Sequence, residues 1–241
     1  PDLLLVHYNE LDKKQHRFGP ATPQAHAALE KLDGLLGELL AEYAAAGLSD
    51  RLVTFVVSDH GFERVDRLFK PNAVLRDAGL IVCDAQTGRL ASWKAKAWVS
   101  GASAAILLAD PPDDRLADTA RAALARHAGS PDSPIGRFIE VDEIRRLGSN
   151  PQAAFMIDAG AGWMFGGSAE GAATETAPIH GMHGQMPDRP GMAAGFVACG
   201  PGVPRGRVLD HAHLTDVAPT LARLAGIVLE PTAGRDLFAD P

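Results

Sequence analysis

Only two cysteines occur in the sequence, Cys83 and Cys199, far apart and each in an apolar stretch. That excludes a disulfide framework and a cysteine-based metal site, and it predicts two buried thiols. No run of Lys or Arg is long enough to follow a phosphate backbone, and 23 basic against 30 acidic residues leave a net charge of −7. Polymeric nucleic acid is thereby excluded as a partner. No segment approaches the ~18 consecutive apolar residues that a membrane-spanning helix needs. An initiating Met is missing too: the chain opens on Pro1-Asp2 and runs directly into Leu3-Leu4-Leu5-Val6, as a cut or processed N-terminus would, so it says nothing about compartment. What is present is ordinary for a folded protein, 241 residues with 46% hydrophobic and 22% charged side chains, enough for one large α/β domain.

Apolar spacing predicts a strand over residues 3–8, a helix over 22–46 stopped by Gly47, and a buried parallel strand over 52–57 that ends in Ser58-Asp59-His60-Gly61. A short helix over 71–78, a turn at Gly79 and a strand over 80–83 follow. Between Trp93 and Trp163 the pattern is less regular, with strands at 104–108, 138–141 and 154–158 and helices at 115–127 and 142–147. Residues 93–171 are therefore expected to form a small capping insertion on a core made of 1–92 and 172–241, with the glycine-rich stretch 160–171 as a flexible or tightly turning connection. A strand at 192–199 and a helix at 214–225 complete the chain. Strands alternating with helices predict an α/β fold with a mostly parallel sheet covered on both faces, and in such sheets ligands bind at the carboxyl ends of the strands.

Candidate metal ligands fall at those ends. Asp12 and His16 are four residues apart, so one helical turn puts a carboxylate and an imidazole on the same face, within reach of one cation. Such a pair by itself is more often a solvated surface pair. Asp59-His60-Gly61 follows the 52–57 strand directly. His180 and His183, three residues apart, can chelate one ion or act as one ligand and one hydrogen-bonding neighbour, and spacing does not choose between them. Trp93, Lys94, Lys96, Trp98 and Trp163 offer rings and cations to a nucleotide, although such residues more often pack or face solvent.

These motifs carry a resemblance. The stretch from Asn9 through Asp12 and His16 to Gly19-Pro20 resembles the Asp-x-x-x-His-x-x-Gly-Pro segment of the type I phosphodiesterases and nucleotide pyrophosphatases, a branch of the alkaline phosphatase superfamily. Ser58-Asp59-His60-Gly61-Phe62 is similar to that family's Ser-Asp-His-Gly-Met element, His183-Gly184 with Met192 and Phe196 to its late His-Gly segment, and Asp216-Val217-Ala218-Pro219-Thr220 to its Asp-x-Ala-Pro-Thr helix.

The resemblance implies an alkaline-phosphatase-like three-layer αβα sandwich, here partial because the N-terminal strands are absent, and two zinc ions. Asp12, His16 and His183 would hold one ion, Asp59 and His60 would help to hold the other, and His180 would be an outer-shell neighbour. In the family a Thr or Ser nucleophile and a further Asp come from an earlier segment, expected here upstream of Pro1, so no catalytic nucleophile is assigned within the chain. The implied activity is metal-dependent hydrolysis of phosphodiester or pyrophosphate bonds in a small phosphoester, such as a nucleotide, with these 241 residues inactive by themselves. A phosphomonoesterase or phosphonoacetate-type hydrolase of the same superfamily, or a catalytically silent metal-binding module, is the alternative.

Overall fold

A computed structural model describes residues 2–239. Helix α1 (Glu10–Phe18) carries Glu10 and Asp12 in its first turn and His16 and Arg17 in its last, the charge order that complements a helix dipole. Helix α2 (Pro23–Ala45) starts where the Thr22 hydroxyl accepts the Ala25 N–H, with Pro23 at the first helical position. It is closed by paired bonds from Gly47 N to Ala44 O and from Leu48 N to Tyr43 O. Strands β1 (Thr54–Val57) and β2 (Glu63–Phe69), helix α3 (Pro71–Asp77), and strands β3 (Ile81–Cys83), β4 (Leu90–Trp93), β5 (Ala95–Ser100) and β6 (Ser103–Leu108) follow. Next come α4 (Asp114–Ala125), β7 (Ile135–Ile139), α5 (Val141–Arg146), β8 (Ala153–Ala159), β9 (Gly162–Phe165), β10 (Thr174–Thr176), β11 (Gly181–Met182), β12 (Phe196–Cys199) and α6 (Val217–Ala225). Among the described residues no helix is long and apolar enough to cross a membrane.

The chain divides into two compact units, one formed by residues up to Leu29 with Phe62–Met192, the other by Glu30–Gly61 with the residues from Ala193 onward. In the first unit β5-β6-β8-β7 form a sheet that is buried on both faces. Ala104, Ile106, Phe155 and Ile157 point to a core shared with Val74 and Leu75 of α3 and Ala120 and Leu124 of α4. On the opposite face Ala105, Ile139 and Met156 pack on Ile144 of α5 and on Met186. This period-two alternation is what lets two buried faces come from one strand, and truncating a side chain such as Phe155 to Ala should cost about 3–5 kcal/mol. Residues 93–171, the expected insertion, contain this sheet and share its core with Val65, Phe69, Leu80 and Ile81. A second sheet of the unit has order β10-β2-β11, with β9 also on β2.

Several expectations are corrected. The sheets are not mostly parallel: among the described residues, β2 with β9 is the one parallel pair of named strands, beside an isolated parallel bridge between Ala128 and Ile135. The cause is visible at β5 and β6, where Ser100 pairs with Ser103 across a two-residue turn, too short for the crossover that parallel strands require. Residues 3–8 form no strand, and Leu3, Leu4, Leu5 and Val6 are exposed, because no described segment offers them a ladder. Strand β1 pairs with β12 antiparallel, and its Val56 and Val57 are exposed. Cys199 at the end of β12 is exposed as well. The glycine-rich connection holds β9, whose Trp163, Met164 and Phe165 enter the core.

The second unit is fastened from the loop before α6. The Asp216 carboxylate accepts the N–H groups of His213 and Arg235, both at 2.9 Å. The Thr220 hydroxyl donates to Asp216 O at 2.6 Å and accepts Leu237 N–H at 2.9 Å. Burial opposes the ionised Asp216 carboxyl, yet the Arg235 and His213 N–H bonds and the neighbouring positive charge outweigh it and hold the group below the usual carboxylate range. The Asp-x-Ala-Pro-Thr motif is thus a structural clasp.

Candidate metal centre

In the first unit α1 presents Asp12 and His16 from successive turns, and His183 reaches the same place from just beyond β11. Asp12 Oδ1 lies 3.5 Å from His16 Nε2 and 3.7 Å from His183 Nε2. These separations are too long for charge-assisted hydrogen bonds, which run about 2.7–2.9 Å. They match donors that surround a common point: ligands about 2.0–2.1 Å from a tetrahedral ion stand about 3.4 Å from one another. Asp12 Oδ1 is a buried oxygen that accepts no hydrogen bond, a condition that ordinarily costs about 1–3 kcal/mol and that a cation would relieve. Two imidazoles and a carboxylate are a nitrogen and oxygen set suited to zinc.

The rings are held from behind. His16 Nδ1 faces the Gly181 carbonyl at 2.9 Å, and a carbonyl can only accept, so Nδ1 carries the proton and Nε2 the lone pair. The Phe62 ring stands edge-on to both imidazoles, its centroid 4.8 Å from that of His16 and 5.3 Å from that of His183. Two glycines permit the close approach. A Cβ at Gly181 would come 2.4 Å from Gln15 O. Gly184 has φ +88°, and a Cβ there would come 2.5 Å from Ser100 O. On the other side the His183 carbonyl accepts Ala102 N–H at 3.0 Å.

His180 contributes its backbone: its N–H donates to His16 O at 2.9 Å and its carbonyl accepts Val65 N–H at 3.1 Å, while the residue itself is exposed. Asp59 and His60 lie in the second unit, directly after β1. His60 Nε2 is 3.5 Å from Asp59 Oδ2, and its Nδ1 donates to Gly61 O at 2.9 Å, again leaving the lone pair on Nε2. The Ser58 hydroxyl accepts Gly195 N–H at 2.7 Å, a link between β1 and the approach to β12. Of the residues considered for a nucleotide, Lys96 lies over the rings of Trp93 and Trp98, at 4.4 and 5.7 Å. Trp163 is buried, and its indole N–H donates to Asp132 O.

Sequence reasoning missed Phe62, which packs on both rings, and an ionic cluster in the same unit. Phe62 was visible only as the neighbour of Asp59-His60-Gly61. Glu63, Asp158 and Arg189 form a partly buried ionic cluster with no local spacing signal, since Arg189 and Glu63 are 126 positions apart. Burial pushes the Asp158 carboxyl above its ordinary range, against the Met186 N–H bond and the Arg189 and Arg137 charges.

The sequence profile of the type I phosphodiesterase/nucleotide pyrophosphatase family matches residues 1–186. Human ectonucleotide pyrophosphatase/phosphodiesterase family member 7 is 35% identical over 66 residues, which are 27% of this chain and 14% of that protein. Among solved structures, human ectonucleotide pyrophosphatase/phosphodiesterase 5 aligns with a TM-score of 0.67 at 22% identity, covering 92% of this chain and 54% of that one. The murine protein aligns at 0.65 and 20%, covering 91% and 53%, and its inactive threonine-to-alanine variant in complex with AMP gives the same values. At such identities the likeness carries the fold, which is α/β, and the chain spans about half the length of these structures. The family profile covers most of the chain, which therefore belongs to the type I phosphodiesterase/nucleotide pyrophosphatase family.

Proposed function

We propose that these residues supply the metal frame of a hydrolase acting on phosphodiester or pyrophosphate bonds, with Asp12, His16 and His183 holding one zinc ion and Asp59 and His60 contributing to the site of a second. The observation that carries this reading is Asp12 Oδ1, buried without a hydrogen bond and 3.5–3.7 Å from two imidazole nitrogens. Bound zinc would supply positive charge to phosphoryl oxygens and acidify a coordinated water. The chain's own groups do the rest. Asp12 supplies the anionic donor, Gly181 O sets the His16 tautomer, and Phe62 limits rotation of both rings. Local cations also explain how a chain of net charge −7 would accept an anionic substrate. A nucleotide is the substrate class we favour, since a structural neighbour has been solved with AMP.

No attacking group is assigned within residues 1–241. Ser58 is engaged with Gly195, and the murine neighbour is inactive when one threonine is replaced by alanine. Loss of a nucleophile that works as part of a unit can cost ~10⁶ in rate. With zinc supplied, the chain should therefore hydrolyse bis-p-nitrophenyl phosphate no faster than its His183→Ala variant. A chelator-sensitive rate well above that variant would place a nucleophile or activated water among these residues and overturn the inactive reading.

A further inference from the structure

The His183 ligand sits on a loop whose near end is fixed by β11 on β2, where Met182 pairs with Glu63, and by the Ala102 bond to His183 O. Its far end is held by buried Met186, by the Asp188 contact with Arg137 at 2.8 Å and, most extensively, by the Arg189 side chain. Arg189 forks onto Glu63, Nε to Oε1 at 3.1 Å and Nη2 to Oε2 at 2.5 Å. Its remaining nitrogen, Nη1, donates to Ala159 O at 2.6 Å and to Asp158 Oδ2 at 3.3 Å. Asp158 Oδ1 in turn accepts the Met186 N–H at 3.0 Å, and Arg189 N–H donates to Met186 O at 3.1 Å. Glu63 opens β2 and directly follows Phe62, the ring that touches both imidazoles, while Asp158 and Ala159 close β8. A single planar guanidinium thus ties the start of one strand, the end of another and the loop that leaves His183. A lysine, with one point charge, lacks the fork for this.

From this geometry we infer that Arg189 is a positioning residue for the metal site, holding His183 where its imidazole meets Asp12 and His16. The inference rests on the zinc reading above. A buried ion cluster is weak evidence for a stabilising role, because apolar or neutral replacements of the whole cluster are often tolerated. What the fork adds is direction: with both ends of the loop pinned, Nε2 of His183 stays within 3.7 Å of Asp12 Oδ1.

The test uses the whole chain stripped of metal. Zinc affinity is measured by competition with a chromophoric chelator, the cobalt(II) form is compared by its visible spectrum, and the metal-free melting temperature is recorded. Arg189→Lys should weaken zinc binding by about 10–100-fold, as outer-shell changes do, and should dim or shift the cobalt bands while the metal-free protein stays folded. The neutral triple variant Glu63→Gln, Arg189→Met, Asp158→Asn leaves no orphaned charge and carries the test if Arg189→Lys does not fold; it should show the same loss of affinity. Zinc affinity within about twofold of the parent and an unchanged cobalt spectrum in the folded variants would overturn the inference, whatever happens to the melting temperature. A parent chain that binds no zinc beyond the level of His183→Ala would instead defeat the zinc reading, and this inference with it.

Discussion

The two candidate half-sites differ in how much of each is assembled by its own unit. Asp12, His16 and His183 converge from two parts of the chain, and each has a brace: the helix for Asp12, Gly181 O for His16, and Phe62, Ala102 and the Gly184 turn for His183. Asp59 and His60 are sequence neighbours, the Asp59 side chain is 79% exposed, and the Gly61 carbonyl accepts from the His60 imidazole. Catalytic zinc sites ordinarily have three protein ligands. Three prepositioned donors against two predict that the first half-site takes up zinc strongly and the second only weakly. Preorganisation is set by long-range packing, whereas the presence of ligand residue types is a local property.

The largest effect expected is at His183. His183→Ala should reduce zinc affinity of the strong site by more than the ~10–100-fold typical of outer-shell changes, as read by chelator competition. An effect no greater than that of His180→Ala would remove the asymmetry between the two histidines. Gly184→Ala should come next: φ +88° and a Cβ placed 2.5 Å from Ser100 O force the loop to shift, so zinc affinity should fall. Retained affinity in that variant would mean that the loop is not held as tightly as the contacts imply.

The extent to which this was legible in the sequence follows the same division. The shared face of Asp12 and His16 was readable because a four-residue spacing fixes it on a helical turn, although the full extent of α1 was not, and α2 was readable because its apolar spacing and Gly47 stop are local signals. The position of Asp59-His60-Gly61 directly after β1 was readable because β-branched residues run into that motif. Strand β2 was missed because Glu63, Arg64, Asp66 and Arg67 mask the alternation of buried Val65 and Phe69. Strand direction was misjudged because pairing partners, such as β1 with β12, are chosen by residues far away in the chain. The Glu63, Asp158 and Arg189 cluster had no pattern to find, since a guanidinium can join residues at any separation.

A smaller effect should separate the units. Thr220→Val removes a donor to Asp216 O and leaves Leu237 N–H without its acceptor, which should cost the second unit about 1–3 kcal/mol. Denaturation followed by fluorescence, alongside zinc titration, should show that loss without weakening of the strong site. Asp216 also gives the clasp a pH dependence. Its folded pKa lies below the unfolded value of about 3.9, so its contribution is complete above that value and is lost as pH falls through the lowered folded pKa. Asp216→Asn should flatten the acid limb of the stability profile, and an unchanged limb would assign it to other carboxylates. The smallest effect belongs to His180→Ala, within about twofold on zinc affinity, because the exposed residue acts through its backbone.

The central claim, that Asp12, His16 and His183 hold one ion within a single unit, is tested most directly by zinc titration of the metal-stripped chain beside its Asp12→Asn variant. Asn keeps the shape and one oxygen but removes the negative charge from the buried, unbonded Oδ1. The account predicts one tight equivalent of zinc in the parent, followed by weaker uptake, and loss of the tight equivalent alone in the variant. A parent with no tight equivalent, or a variant that retains it, would contradict the account.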